Sequence, residues 1–239
     1  MVKVLNYIWR GWFMFLATVL TLIFALPVYI FSLQKNGYKK AYFFIRLWSY
    51  GLFYGMGFRY ELINLTEQRL NKNEQYIVIA NHTSIMDIML SCILLPHHSV
   101  CFVGKKELDR IPIFGVAYRK ACILVDRKCP KSRSQVYAKC AERMDEGNSI
   151  ILYPEGGVPN DTSIVLDEFK NGAFAMSCKH QKKIAVFTFV GLKEFFPFDH
   201  GKGKMGKVKV FFNGILEPEA DFNHQKNKAR EMILNQLSN

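Results

Sequence analysis

The stretch Asn81-His82-Thr83-Ser84-Ile85-Met86-Asp87 holds residue types that can carry out acid–base chemistry. Asp87 lies five residues after His82, and on the first turns of a helix this spacing can bring the carboxylate back to the imidazole. A carboxylate there fixes the tautomer of the ring and stabilises the imidazolium formed when the ring accepts a proton. The pattern predicts a general base, His82, with Asp87 as its orienting acid. The spacing is equally compatible with a plain strand-to-helix turn in which Asn81, Thr83 or Ser84 caps the helix.

The elements that must position this stretch follow from the pattern of apolar residues beyond residue 58. We predict strands at 76–80, 100–103, 122–125, 150–153, 184–190 and 208–213. We predict helices at 85–95, 132–146, 171–180 and 223–237. Strands separated by helices predict an α/β fold with a mixed, largely parallel sheet flanked by helices, in which the site lies where strands give way to loops. The stretch 57–66 is the one linker-like boundary.

The N-terminus carries two apolar stretches. Residues 12–33 contain no charged side chain. This stretch is long enough to span a bilayer and too long for the apolar core of a signal peptide, so we expect it to be retained. Residues 41–58 are rich in aromatic side chains, as in an interfacial helix. We therefore predict two domains, a membrane-anchoring helix pair at 1–58 and a catalytic α/β domain at 59–239.

The placement of this helix pair in a membrane is open between two arrangements. Either the first helix spans the bilayer, or the pair forms a hairpin that dips into one leaflet and leaves both flanks on the same side. Lysines on both sides of the first stretch, together with Pro27 inside it, favour the hairpin. The remaining alternative, two buried core helices of a soluble protein, conflicts with the length of the uncharged stretch.

Charge and cysteine usage restrict the partners. The formal net charge is +12 although half of the residues are hydrophobic, so apolar and basic residues are segregated along the chain. Basic residues concentrate at 101–140 and at Lys202–Lys209, which suits a membrane surface, a phosphorylated substrate or an acidic carrier protein. Nucleic acid is disfavoured because stacking aromatics are not interleaved with these basic residues. The six scattered cysteines, without a CxxC pair, indicate reduced thiols in a cytosol-facing protein.

Three further blocks follow His82, each at the end of a predicted strand. They are Gly104-Lys105-Lys106-Glu107-Leu108, Val125-Asp126-Arg127 and Tyr153-Pro154-Glu155-Gly156-Gly157. Together with the Asn-His-Thr-Ser-x-x-Asp stretch, this ordered set resembles the membrane-associated glycerolipid acyltransferases, the family of 1-acylglycerol-3-phosphate acyltransferases, over roughly residues 1–215. The resemblance implies the glycerolipid acyltransferase fold and transfer of a fatty acyl group to the free hydroxyl of a lysophosphatidate-like acceptor. The implied donor is acyl-CoA or acyl carrier protein, with no further cofactor and no metal.

The resemblance also implies roles for individual residues. His82 would be the base and Asp87 its orienting partner, with direct acyl transfer and no acyl-enzyme. The implied substrate-binding residues are Asn81, Ser84, Lys105, Arg127, Glu155, Gly156 and Gly157. Lys105 and Arg127 would hold an anionic head group, whereas Glu155 and Gly156 would line the acceptor site. The implied location is the membrane, with the catalytic domain on the cytoplasmic face.

The chain departs from the family pattern after Glu155-Gly156. The usual third block continues Thr-Arg, whereas this chain has Gly157-Val158, so an arginine that would clamp the phosphate of the acceptor is missing. A phosphate would then be held by Lys105, Arg127 or the Lys202–Lys209 loop. Alternatively, the acceptor is another lysolipid, such as an amino-acid-containing lysolipid or a lysophospholipid. A non-catalytic membrane lipid-binding protein is the alternative from a different functional class.

Overall fold

A computed structural model describes residues 2–126, 128–159, 161 and 163–238. Across these residues the α-helices are α1 (Val2–Ser32), α2 (Tyr38–Gly55), α3 (Met86–Leu94), α4 (Phe114–Ala121), α5 (Pro130–Asp145), α6 (Gly172–His180), α7 (Leu192–Phe195) and α8 (Phe222–Leu237), with a 3₁₀ helix at Lys106–Arg110. The strands are β1 (Arg59–Asn64), β2 (Ile77–Ile79), β3 (Val100–Lys105), β4 (Cys122–Val125), β5 (Ser149–Leu152), β6 (Ile184–Val190) and β7 (Lys207–Leu216).

The predicted fold class is confirmed, because the seven strands belong to one mixed, mostly parallel sheet flanked by helices. The chain divides into two compact units, each built from two segments. One unit comprises residues 1–57 and 88–150, and the other comprises 58–87 and 151–239. The predicted domain boundary near residue 58 coincides with the start of the second unit, and the assignment of separate anchoring and catalytic domains stays a prediction.

In the first unit, α1 and α2 pack against each other as an antiparallel hairpin. The Trp12 indole donates a hydrogen bond to the carbonyl of Gly55 at 2.9 Å, and Trp48 donates to Thr21 at 3.2 Å. A Cβ at Gly51 would lie 2.7 Å from a terminal methyl of Leu20, so a larger residue there would make that side chain shift. The sequence predicted this pair of helices, and glycine allows them to approach closely.

The outer surface of α1 is apolar. Within the described residues one helix, Lys3–Ser32, is long and apolar enough to cross a membrane by length and composition, and only 6% of its most apolar window is buried. Large exposed apolar side chains on it include Phe15, Leu22 and Leu26. The first unit also holds the parallel pair β3 and β4, in register from Phe102 with Cys122 to Lys105 with Val125.

In the second unit the strand order is β1-β7-β6-β2. The β1–β7 and β2–β6 pairs are parallel, whereas β6 and β7 are antiparallel. All three residues of β2 and the first six of β6 are buried. The helix α8 packs against α6, β6 and β7, so the core of this unit fixes both the strand that leads to His82 and the C-terminal helix.

The predicted linker at 57–66 is wrong, because Arg59–Asn64 forms β1 and pairs with β7 along its length. Most of its residues are exposed, and polar side chains such as Arg59 and Glu61 hide the strand pattern. Glu61 forms an ion pair with Lys207 of the neighbouring strand at 2.9 Å. An exposed edge strand buries too little apolar surface to show the alternation that identified the other strands.

Candidate active site

The backbone that carries His82 is fixed by the side chain of Asn81. Strand β2 ends at Ile79, and the Asn81 amide then exchanges two hydrogen bonds with Phe189 of β6. Its Nδ2 donates to the Phe189 carbonyl at 2.9 Å, and its Oδ1 accepts from the Phe189 N–H at 2.8 Å. The side chain thus continues the β2–β6 ladder where the main chain turns away. The Asn81 side chain is buried and bonded to the sheet, so it holds this turn, and its part in substrate binding stays a prediction.

Asp87 gathers the loop that follows. It lies in the first turn of α3, where a carboxylate is favoured by the helix dipole. Its Oδ2 accepts hydrogen bonds from the main-chain N–H groups of Thr83 at 2.6 Å and Ser84 at 2.8 Å. The same oxygen lies 3.0 Å from Nδ1 of His82. The Asp87 side chain is fully buried, and the His82 side chain is 16% exposed.

This geometry orients the imidazole. A carboxylate beside Nδ1 selects the tautomer in which Nδ1 carries the hydrogen and donates it to Asp87. The other ring nitrogen, Nε2, then carries the lone pair that can accept a proton. The ring of Tyr153 stacks on that of His82 with 4.2 Å between centroids and 15° between planes. The Asp87 contact is the one that the five-residue spacing predicts, whereas the Tyr153 stack was missed because stacking leaves no spacing signal.

Ser84 ties the same loop to the segment after α7. Its Oγ donates a hydrogen bond to the Phe196 carbonyl at 2.8 Å and accepts one from the Met86 N–H at 3.2 Å. Ser84 is fully buried. Through these contacts Ser84 caps α3 and anchors the loop, and its part in substrate binding stays a prediction.

Glu155 bridges the main chain of the loop at His82 and the main chain at Asp167. Its Oε1 accepts the N–H of His82 at 2.7 Å, and its Oε2 accepts the N–H of Asp167 at 3.0 Å. The residue is 4% exposed. Burial raises the pKa of the Glu155 carboxyl above its usual range, opposed by these two hydrogen bonds and by the nearby imidazole. Its contacts make Glu155 a support for the His82 backbone.

Gly156 and Gly157 follow Glu155 in a turn. The N–H of Gly156 donates to the Tyr153 carbonyl at 3.0 Å, and Gly156 has a φ of +78°, where glycine is favoured. A Cβ on Gly156 would lie 3.4 Å from Cγ of Lys170, so the aliphatic stem of this exposed lysine runs past the turn. Lys170 was not predicted, because it lies 14 positions beyond Gly156.

The two predicted cations are Lys105 and Arg127. Lys105 is exposed at the end of β3 in the first unit. Arg127 lies outside the described residues. Their part in binding a head group therefore stays a prediction, as does that of Gly157. Within the second unit, His82, Asp87, Glu155, Asn81, Ser84 and Gly156 share one hydrogen-bonded set of segments. That set can orient an imidazole to remove a proton from an alcohol.

Comparisons with known proteins identify the family. A family model described as Acyltransferase matches residues 63–190. The chain is 31% identical over 117 residues to a 1-acyl-sn-glycerol-3-phosphate acyltransferase of Helicobacter pylori, covering 48% of each chain. It is 29% identical over 154 residues to the human 1-acyl-sn-glycerol-3-phosphate acyltransferase beta, covering 64% of this chain and 52% of that one. The chain thus spans about half the length of the curated relatives it matches.

The fold has a solved counterpart. The crystal structure of the 1-acyl-sn-glycerophosphate acyltransferase PlsC from Thermotoga maritima superposes with a TM-score of 0.76. The match covers 100% of this chain and 97% of the other at 19% sequence identity. At that identity the likeness establishes the shared fold.

Proposed function

The chain belongs to the Acyltransferase family, and from this premise we propose that it transfers a fatty acyl group from acyl-CoA or acyl carrier protein to the free hydroxyl of a lysophosphatidate-like acceptor. The product from 1-acyl-sn-glycerol-3-phosphate is phosphatidate. The observation that carries the proposal is the 3.0 Å contact between Nδ1 of His82 and the buried Asp87 carboxylate. It supplies a base for the hydroxyl of the acceptor.

The proposed reaction proceeds in one acyl transfer. Nε2 of His82 takes the proton of the hydroxyl as the oxygen attacks the thioester carbonyl, giving a tetrahedral oxyanion. The carbon–sulfur bond then breaks, the ester forms, and the departing thiolate takes the proton from the imidazolium. Asp87 stabilises the imidazolium between these steps, and Glu155 holds the backbone of His82 in place. Because a thioester is already activated, a covalent enzyme intermediate is not needed.

The phosphate of the acceptor requires cations. On the family resemblance of their sequence blocks, Lys105 and Arg127 are proposed to contact it, and Gly156 and Gly157 are proposed as main chain that a ligand can approach closely. Lys170 joins them as a candidate because its stem passes the Glu155-Gly156 turn. An ammonium at this position would offset the absence of an arginine at Val158, although without the bidentate geometry of a guanidinium.

We further propose that the protein works at a membrane, with its catalytic residues on the cytoplasmic side. The exposed apolar surface of α1 supports the membrane attachment. A hairpin of α1 and α2 inserted in one leaflet keeps both flanking segments on one side. Accessibility of single exposed lysines to a membrane-impermeant amine reagent, in sealed vesicles of known orientation, tests the side.

The decisive experiment compares two histidine variants in purified, detergent-solubilised full-length protein. His82→Ala should lower the acyl-transfer rate by roughly 10²- to 10⁴-fold, the usual contribution of a general base. His97→Ala removes an exposed imidazole and should leave the rate unchanged. Release of CoA and formation of phosphatidate are measured together. Equal rates for His82→Ala and the unchanged protein would refute the proposed function.

A second acceptor class is favoured by one observation, the Gly157-Val158 sequence in place of Thr-Arg. Under this alternative the chemistry at His82 is the same and the acceptor is another lysolipid, such as an amino-acid-containing one. A panel of lysolipids assayed with one donor separates the two. Turnover of a different lysolipid, with lysophosphatidate inactive, would favour the alternative.

A further inference from the structure

The segment 163–170, which we name the strap, is held at four points. Within the strap, the Lys170 N–H donates to the Pro154 carbonyl at 2.8 Å, and the Asp167 N–H donates to Glu155. From outside, Nζ of Lys193 donates to the Ile164 carbonyl at 2.8 Å, and an Nη of Arg230 donates to the Leu166 carbonyl at 3.1 Å. Side chains of α7 and α8 therefore fix the strap that supports Glu155.

Arg230 and Glu155 contact opposite ends of the same peptide group. The carbonyl of Leu166 and the N–H of Asp167 belong to one planar unit and cannot rotate independently. Arg230 donates to the carbonyl end, and the N–H end donates to Oε2 of Glu155 at 3.0 Å. A cation on the carbonyl also polarises the peptide, which makes its N–H a stronger donor to the carboxylate.

The connection continues to the candidate base. The other oxygen of Glu155, Oε1, accepts the N–H of His82 at 2.7 Å. Three consecutive hydrogen bonds thus lead from the guanidinium of Arg230 to the main chain of His82. Leu166 is 5% exposed and Glu155 is 4% exposed, so water does not readily replace either link. We propose that Arg230 is a positioning residue for acyl transfer, acting through the Leu166–Asp167 peptide and Glu155 on the backbone of His82.

The part of α8 that carries Arg230 is itself held in place by packing. Its neighbours on the same helix, Ala229 and Ile233, are fully buried, because α8 packs against α6, β6 and β7. A charge needed only for solubility would point to water from an exposed position such as Lys228. Arg230 instead donates a hydrogen bond to the carbonyl of Leu166, a buried residue 64 positions earlier in the chain. Its contact therefore indicates a role in holding the strap.

The kinetic test uses substitutions on one helix and rests on the proposed function. Arg230→Met should lower kcat about tenfold, because a slightly misplaced base raises the activation free energy by about 1.36 kcal/mol. KM for donor and acceptor should not change. Arg230→Lys keeps a cationic donor and should recover part of the loss. Lys228→Met removes a charge from the same helix and should change nothing. An unchanged kcat in Arg230→Met, or a loss confined to KM, would overturn the proposal.

A double-mutant cycle tests whether the effect passes through Glu155. If it does, adding Arg230→Met to Glu155→Gln should lower kcat by less than twofold beyond the single Glu155→Gln change, since coupled residues are not additive. Independent, multiplicative losses would contradict the pathway.

A readout without turnover separates this inference from the proposed function. Hydrogen exchange of the full-length protein should be faster in Arg230→Met than in Lys228→Met, both in the strap and in peptides covering residues 81–84. Faster exchange confined to the strap would refute the link to His82, even if no acceptor is ever turned over. Arg230→Lys should restore slow exchange in both segments.

Discussion

Replacing Asp87 with asparagine tests the proposed base most directly. The carboxylate is fully buried, and its Oδ2 accepts the N–H groups of Thr83 and Ser84 while lying 3.0 Å from the His82 ring. Asparagine has nearly the same shape and keeps one oxygen for the two backbone donors. The substitution therefore removes the negative charge and leaves the packing of the loop largely in place.

The size of the effect follows from what the ring loses. Without the carboxylate charge, the imidazolium loses its electrostatic partner, although the asparagine oxygen that accepts the Thr83 and Ser84 N–H groups still faces Nδ1. The same change in a Ser-His-Asp triad costs about 10⁴-fold in kcat. Because the wrong tautomer causes the loss in that triad and only the charge is removed here, we expect a smaller loss of roughly 10²- to 10³-fold, or about 2.7–4.1 kcal/mol in activation free energy. The free energy of unfolding should fall by only about 1–3 kcal/mol, as for lost hydrogen bonds to a charged group.

The assay measures kcat and KM from CoA release with lysophosphatidate in detergent micelles, alongside thermal unfolding of the same preparation. Asp145→Asn, which neutralises an exposed carboxylate at the end of α5, is the matched control and should leave both unchanged. If Asp87→Asn keeps more than about a tenth of the original kcat while folded, the assigned role of the Asp87 charge is wrong.

The other predictions concern the surroundings of His82. Glu155→Gln places an amide where two N–H groups need acceptors, so kcat should fall about tenfold in the same assay. Burial raises the pKa of the Glu155 carboxyl above its usual value of 4.5, so the folded state binds this proton more tightly than the unfolded state does. The free energy of unfolding should therefore fall as pH rises from 4.5 through the pKa of the folded state. Urea unfolding at several pH values in this range should show a weaker pH dependence in Glu155→Gln. Tyr153→Leu removes the stacked ring and should reduce kcat with little change in melting temperature. Gly156→Ala should lower unfolding free energy by about 1 kcal/mol, because alanine is strained at positive φ, and equal stability would contradict this.

Local signals account for what the sequence predicted. Strand β6 is as predicted at 184–190. The observed β2 and α3 are one residue shorter at each end than predicted, and α8 begins one residue earlier. The agreement is close because buried apolar runs and caps are local properties. The contact of His82 with Asp87 was predictable for the same reason, since both lie in one strand–loop–helix unit. The edge strand β1 was not, because its polar residues hide the alternation.

The supports of the site were beyond sequence reasoning for a different physical reason. Glu155 reaches the His82 N–H across 73 positions, and Arg230 reaches the Leu166 carbonyl across 64. In both contacts one partner is a main-chain group, which every residue type carries and which therefore leaves no trace in the sequence. The side chain can be identified from the chain alone, and its partner requires the fold.

The two carboxylates also restrict how the transition state is stabilised. Three consecutive N–H groups, those of His82, Thr83 and Ser84, donate to Glu155 or Asp87. A loop whose amides are already bonded cannot offer them to the oxyanion that develops on the thioester carbonyl. The donors for that charge must therefore come from groups outside this loop. On this argument the loop around His82 is built to hold the base rigidly, and stabilisation of the oxyanion is left to donors outside the loop.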